Sequence, residues 1–148
     1  MKEHEWAMLP YGYMKPHEPW GNPEEMNFYL VRLCDLLRHD LGVPLFVTYG
    51  TQGKHRAPWH SKGLAVDACV DLERTTAIDV VLKVTRYPFV GVGLLPLANH
   101  HKCRRALGLH LDVRPQLKVA QPQARWIWVN WEQYPMDRAH LSKYGLLQ

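Results

Sequence analysis

Cysteine is scarce in this sequence. The three present, Cys34, Cys69 and Cys103, lie far apart and form no Cys-x-x-Cys pair, which argues against a zinc site built from cysteine. An odd, sparse count reads as buried thiols in a reduced compartment. Long apolar runs are missing too, and nothing approaches the ~20 residues of a membrane span. The first residues, MKEHEWAMLPYGYMKP, lack the apolar stretch of a secretory signal. The expectation is a chain made in the cytoplasm, with no export address and no membrane insertion. Repeats, linkers and low-complexity tracts are absent, so residues 1–148 read as a single domain, monomeric, with residues 1–22 as an extended N-terminal arm. Nor does one sign of charge dominate: 18 Lys and Arg against 14 Asp and Glu leave +4, scattered except in short clusters such as HHKCRR. That is a mild bias toward anionic partners and falls short of a nucleic-acid footprint.

Aromatic residues are plentiful, with 6 Trp and 7 Tyr. Such weight suits a packed core or a groove that holds an extended ligand. The stretch NPEEMNFYLVRLCDLLRHDLG is the clearest helix. Asn22 is placed to cap it, Pro23 fits its first position, Glu24 and Glu25 complement the dipole, and Gly42 ends it. Met26, Tyr29, Leu30, Leu33, Leu36 and Leu37 form its apolar stripe. PLFVTYG, LAVDACV, FVGVGLL, LGLHLDVRP and RWIWVNW read as strands, and a second helix is expected between Glu73 and Arg86. TQGKHRAPWHSKG and PLANHHKCRRA read as loops. This order predicts an α+β fold, a mainly antiparallel sheet packed against helices.

The chemistry concentrates in two stretches. In LHLDVR, alternation puts His110, Asp112 and Arg114 on one strand face and Leu109, Leu111 and Val113 on the other. Three polar groups in a row on an otherwise apolar strand are costly unless solvated or used. In PWHSKGLAVD, His60 precedes a glycine and Asp67 lies inside an apolar run. A bend at Gly63 lets His60 reach back over the strand that carries Asp67. If that strand lies beside residues 108–114, then His60, Asp67 and His110 converge. Two imidazoles and a carboxylate are three good zinc ligands, and a fourth position left for water is the plan of a catalytic site. Each half taken alone also fits a chance pairing or an exposed, salt-bridged face; the conjunction is the stronger observation.

WHSKGLAVD, then GVGLLP, then LHLDVR resembles the zinc peptidases of the D-Ala-D-Ala carboxypeptidase and L-alanyl-D-glutamate endopeptidase superfamily, whose fold is shared with the Hedgehog signalling domain. The pattern there is Ser-x-His-x-x-Gly-x-Ala-x-Asp, a Gly-x-Gly strand and a final His; one branch ends in His-x-Asp-x-Arg. The matching positions are His60, Gly63, Ala65 and Asp67, then Gly91 and Gly93, then His110, Asp112 and Arg114, within residues 25–130. The resemblance implies one zinc per chain on His60, Asp67 and His110, and a substrate drawn from peptidoglycan stem peptides. Pro58 stands where Ser is usual, Leu95 where an aromatic is common, and Leu107 where many members carry a catalytic Glu. Asp112 is therefore the candidate general base, or else a partner that orients a ligand. Arg114 would orient that carboxylate or stabilise the oxyanion. Lys54, Arg56 and His101 are candidates for holding a substrate carboxylate, as is His100.

The first reading is thus a zinc-dependent peptidase, carboxypeptidase or endopeptidase, acting on cell-wall peptides, of phage or prophage type and released through a lesion made by another protein. The second keeps fold and zinc but not catalysis, leaving a structural or wall-binding module. A nucleic-acid-binding protein rests on the charge alone.

Overall fold

The computed structural model describes residues 1–51, 58–96, 101–115, 124–130 and 132–148. Helix α1 (Glu3–Ala7) and a 3₁₀ turn (Pro23–Glu25) precede helix α2 (Phe28–Leu41). Strand β1 (Leu45–Tyr49), helix α3 (Pro58–Ser61) and strand β2 (Ala65–Asp71) follow. After helix α4 (Ala77–Val84) come strands β3 (Gly91–Leu95), β4 (Ala106–Asp112), β5 (Ala124–Val129) and β6 (Glu132–Pro135), then helix α5 (Arg138–Lys143).

The helix predicted from Asn22 starts later. Asn22 caps only the 3₁₀ turn, the backbone is extended at Met26, and Asn27 caps α2 by accepting from the Leu30 N–H. The break is held by tertiary contact, because the Asn27 N–H donates to the Gly63 carbonyl at 2.9 Å. Of the predicted stripe, Leu30, Leu33 and Leu37 are buried on α2, while Tyr29 is exposed. Gly42 ends the helix in the left-handed region, as its lack of a Cβ allows. Likewise α4 is shorter than the predicted 73–86, because the Thr76 hydroxyl caps it and the Asp71 carboxylate folds residues 71–73 into a turn.

The six strands form one sheet in the order β1-β2-β4-β3-β5-β6. Every neighbouring pair is antiparallel except β3 and β5. The molecule is therefore α+β with a mostly antiparallel open sheet. One face carries Leu45, Val47, Val66, Ala68, Val70, Val92, Leu94, Leu107, Leu109, Leu111 and Ile127, all buried in a core shared with α2 and α4. Burying such side chains stabilises by roughly 1.5–3 kcal/mol each. The register then fixes the opposite face. Asp67 lies directly across from His110, and Gly93 from His110 on the other side.

The N-terminal arm includes the short helix α1 rather than being extended throughout. It lies on the body through Leu9, Met14 and Trp20, all buried. The fully buried Asp35 on α2 holds it: its two oxygens accept N–H groups of Tyr11, Gly12, Tyr13 and Met14 at 2.6–3.2 Å. No helix among the described residues is long and apolar enough to cross a membrane.

Candidate metal centre

Pro58 opens the one-turn helix α3, which carries His60. The chain then reverses at Gly63, whose φ of +65° is in the region that favours glycine. A Cβ there would also lie 1.9 Å from the Glu25 carbonyl oxygen. This turn feeds β2 and lays His60 over Asp67, as the expected bend at Gly63 implies. The alternative of an exposed, salt-bridged face for residues 110–114 does not describe that strand, since Asp112 is fully buried.

The ligand atoms of His60, Asp67 and His110 all lie within 4.8 Å of one another, so the group could hold a metal ion. His60 Nε2 is 3.4 Å from Asp67 Oδ1 and 3.3 Å from His110 Nδ1. Asp67 Oδ1 and His110 Nδ1 are 2.8 Å apart. Tetrahedral zinc with ligands at about 2.0–2.1 Å sets ligand atoms about 3.3–3.4 Å apart. Two of the three separations match that figure. The third is a hydrogen bond whose proton a metal ion would replace.

The outward nitrogens are fixed as well. Nδ1 of His60 donates to the Gly50 carbonyl at 2.9 Å. A carbonyl only accepts, so Nδ1 carries the hydrogen and Nε2 is the ligand atom. Nε2 of His110 faces Asp112 Oδ2 at 3.2 Å, which leaves Nδ1 as the ligand atom of that ring. The donor set of two imidazoles and one carboxylate, each ring held from behind, fits a divalent metal such as zinc.

Asp112 is fully buried. Arg114 grips both of its oxygens, Nε to Oδ1 at 2.8 Å and Nη2 to Oδ2. Burial alone would raise its pKa, but the hydrogen bonds from Arg114 and His110 outweigh burial and lower it to about 2. Burial is likewise outweighed at Asp67, which His110 and His60 hold well below the usual carboxylate range. At His110 burial would lower the pKa; its bonds to Asp112 and Asp67 raise it to about 9. Sequence alternation put Asp112 on the His110 face, and it is there. Its carboxylate, however, sits behind His110, on the nitrogen away from Asp67 and His60.

The glycines of β3 make the room. A Cβ at Gly91 would lie 2.1 Å from Asp112 Oδ2, and one at Gly93 would lie 2.6 Å from Trp126 Nε1. Trp126 leans on His110 with ring centroids 5.5 Å apart. The Arg114 guanidinium lies over Trp59 at 5.6 Å and over Trp126 at 5.8 Å. Tyr49 packs edge-on to His60 at 5.2 Å. A register irregularity between Val47 and Tyr49 pairs Tyr49 with Asp67, which re-aims it to the site face. Trp59, Trp126 and Tyr49 were not legible as site residues. The alternation of RWIWVNW held a clue to Trp126, but a bulge leaves no trace in composition.

Lys54, Arg56 and His100 lie outside the described residues. His101 is exposed in the turn before Cys103 and is not among the clustered ligand groups. Leu107, where many of the similar peptidases carry Glu, is fully buried in the helix-side core. Comparison with family models, with curated proteins and with solved structures finds no match to this chain.

Proposed function

We propose that the chain is a zinc-dependent peptidase that hydrolyses peptidoglycan stem peptides, with the Hedgehog/D-Ala-D-Ala peptidase-like fold, and that it reaches the wall as a phage- or prophage-type lysin. The observation that carries this reading is the convergence of His60, Asp67 and His110 at ligand spacing, on the sheet face opposite the main core, with the motif order of those peptidases. His60 Nε2, Asp67 Oδ1 and His110 Nδ1 would hold the metal. Zinc, when bound, supplies Lewis acidity toward a carbonyl and a water nucleophile near neutral pH.

The chain's own residues do the rest. The Gly50 carbonyl fixes the His60 ring, and Asp112 fixes the His110 ring and makes it more basic. Arg114 neutralises Asp112 and remains part-exposed between two tryptophans. That guanidinium edge suits an anionic peptide end, such as a substrate carboxylate. Trp59 and Trp126 flank it as apolar walls.

A second reading has a specific observation behind it. Leu107 offers no carboxylate and Asp112 is turned away behind His110, which favours a zinc-binding wall or structural module without turnover. A turbid suspension of purified cell walls separates the two. The peptidase clears it, stops when a chelator is added and resumes with excess zinc. A protein that holds zinc and leaves the walls turbid, with no new peptide ends by mass spectrometry, is the second kind.

A further inference from the structure

We propose that Cys69 and Cys103 form a disulfide, a covalent staple between β2 and the segment that enters β4. The two Sγ atoms lie 3.1 Å apart. A disulfide needs them at about 2.0 Å, so closure asks for a shift of only about 1 Å. Both residues are buried, in a small cluster with Ala106 against Phe46, apart from the main core.

Each partner is independently positioned. Cys69 is fixed by the β2 register, opposite Gly108 on one side and Phe46 on the other. Cys103 is set by hydrogen bonds two residues away: Leu72 N–H to the Arg105 carbonyl at 2.8 Å, and Arg105 N–H to Asp71 Oδ1 at 3.3 Å. The pairing is unambiguous, because Cys34 is buried on α2, in the core on the opposite sheet face. All three cysteines are free thiols in the structure; the bridge would replace the expected set of reduced thiols by one disulfide and one thiol. The staple would pin the stretch that bears His101 to a strand position two residues from Asp67.

The chemistry balances with a small-molecule disulfide, such as oxidised glutathione, as oxidant. The Cys103 thiolate attacks one glutathione sulfur and releases one reduced glutathione. The Cys69 thiolate then attacks Cys103 Sγ and releases the second. Two thiols lose two protons and two electrons, and the oxidant takes them up as two thiols. Both thiols are buried once the sheet has formed, out of reach of the oxidant. Bridging therefore belongs to folding, before β2 is covered.

The inference is independent of the proposed function and is tested without any activity. Protein reduced in denaturant is refolded in a reduced/oxidised glutathione couple, then denatured with an alkylating agent. The expected result is one alkylated cysteine per chain, Cys34, and a cross-linked peptide pair containing Cys69 and Cys103. The bridged form should melt several degrees above the same protein held in reductant. Cys103→Ser should leave two alkylated cysteines and abolish that difference. Three alkylated cysteines in refolded wild type, a bridge involving Cys34, or an unchanged oxidant-dependent gain in Cys103→Ser would each overturn the proposal.

Discussion

At the scale of single residues, the site turns on which nitrogen of each histidine faces the cluster. His110 presents Nδ1 to Asp67 and His60 and gives Nε2 to Asp112. The carboxylate that sequence alternation offered as general base thus acts on the far side of the ring. Its low pKa follows from Arg114 and His110, and a group held near 2 is a weak proton acceptor at neutral pH. Asp112→Asn keeps the shape and removes the charge behind His110. Zinc affinity should fall by about 10–100-fold, the usual scale for losing a partner that orients a ligand. Competition with a coloured zinc chelator reads the change, with circular dichroism to verify the fold. Full affinity joined to lost turnover would instead make Asp112 the proton acceptor.

At the scale of elements, the strands were the legible part. LAVDACV and LGLHLDVRP alternate cleanly, and burying one face of each leaves Asp67 and His110 on the other. Two such strands in antiparallel register bring those residues opposite each other, so the His60, Asp67 and His110 cluster followed from local pattern plus two assumptions, that pairing and a bend at Gly63. Less legible was anything set by tertiary contact. The delayed start of α2 depends on the Asn27 N–H meeting the Gly63 carbonyl, a contact between residues distant in sequence that no local pattern shows. Helix α3 is a single turn inside a stretch whose Gly, Lys and Pro read as loop. Strand β6 and helix α5 have little apolar periodicity; Glu132, Gln133 and Pro135 are exposed, and β6 exists because β5 offers it an edge. The four-fold grip of Asp35 on the arm is likewise invisible to periodicity, since a lone aspartate inside a helical stripe reads as a flaw in the stripe.

At the scale of the whole molecule, the site writes its protonation into stability. In the metal-free protein the His110 pKa is raised from 6.5 to about 9. Its contribution is then fully present below about pH 6.5 and is lost as pH rises through 9. Asp67 and Asp112 are lowered, so theirs is present above the usual carboxylate range and is lost in acid, for Asp112 as pH falls through about 2. Metal-free protein should therefore melt highest between about pH 4 and 6.5, with the melting temperature declining toward pH 9. Zinc must displace the His110 proton, so its stabilising effect should grow over the same rise. Thermal scans with and without zinc across this range check both trends; a zinc effect that is flat with pH would contradict them. The central claim is that three side chains brought together by this fold make one metal centre. It is tested most directly by the metal content of the purified protein, measured for wild type and for His60→Ala after loading with zinc and gel filtration. The account predicts one zinc per wild-type chain and loss of most of it in the variant, since two remaining ligands hold zinc weakly. A full equivalent of zinc retained by folded His60→Ala would contradict it.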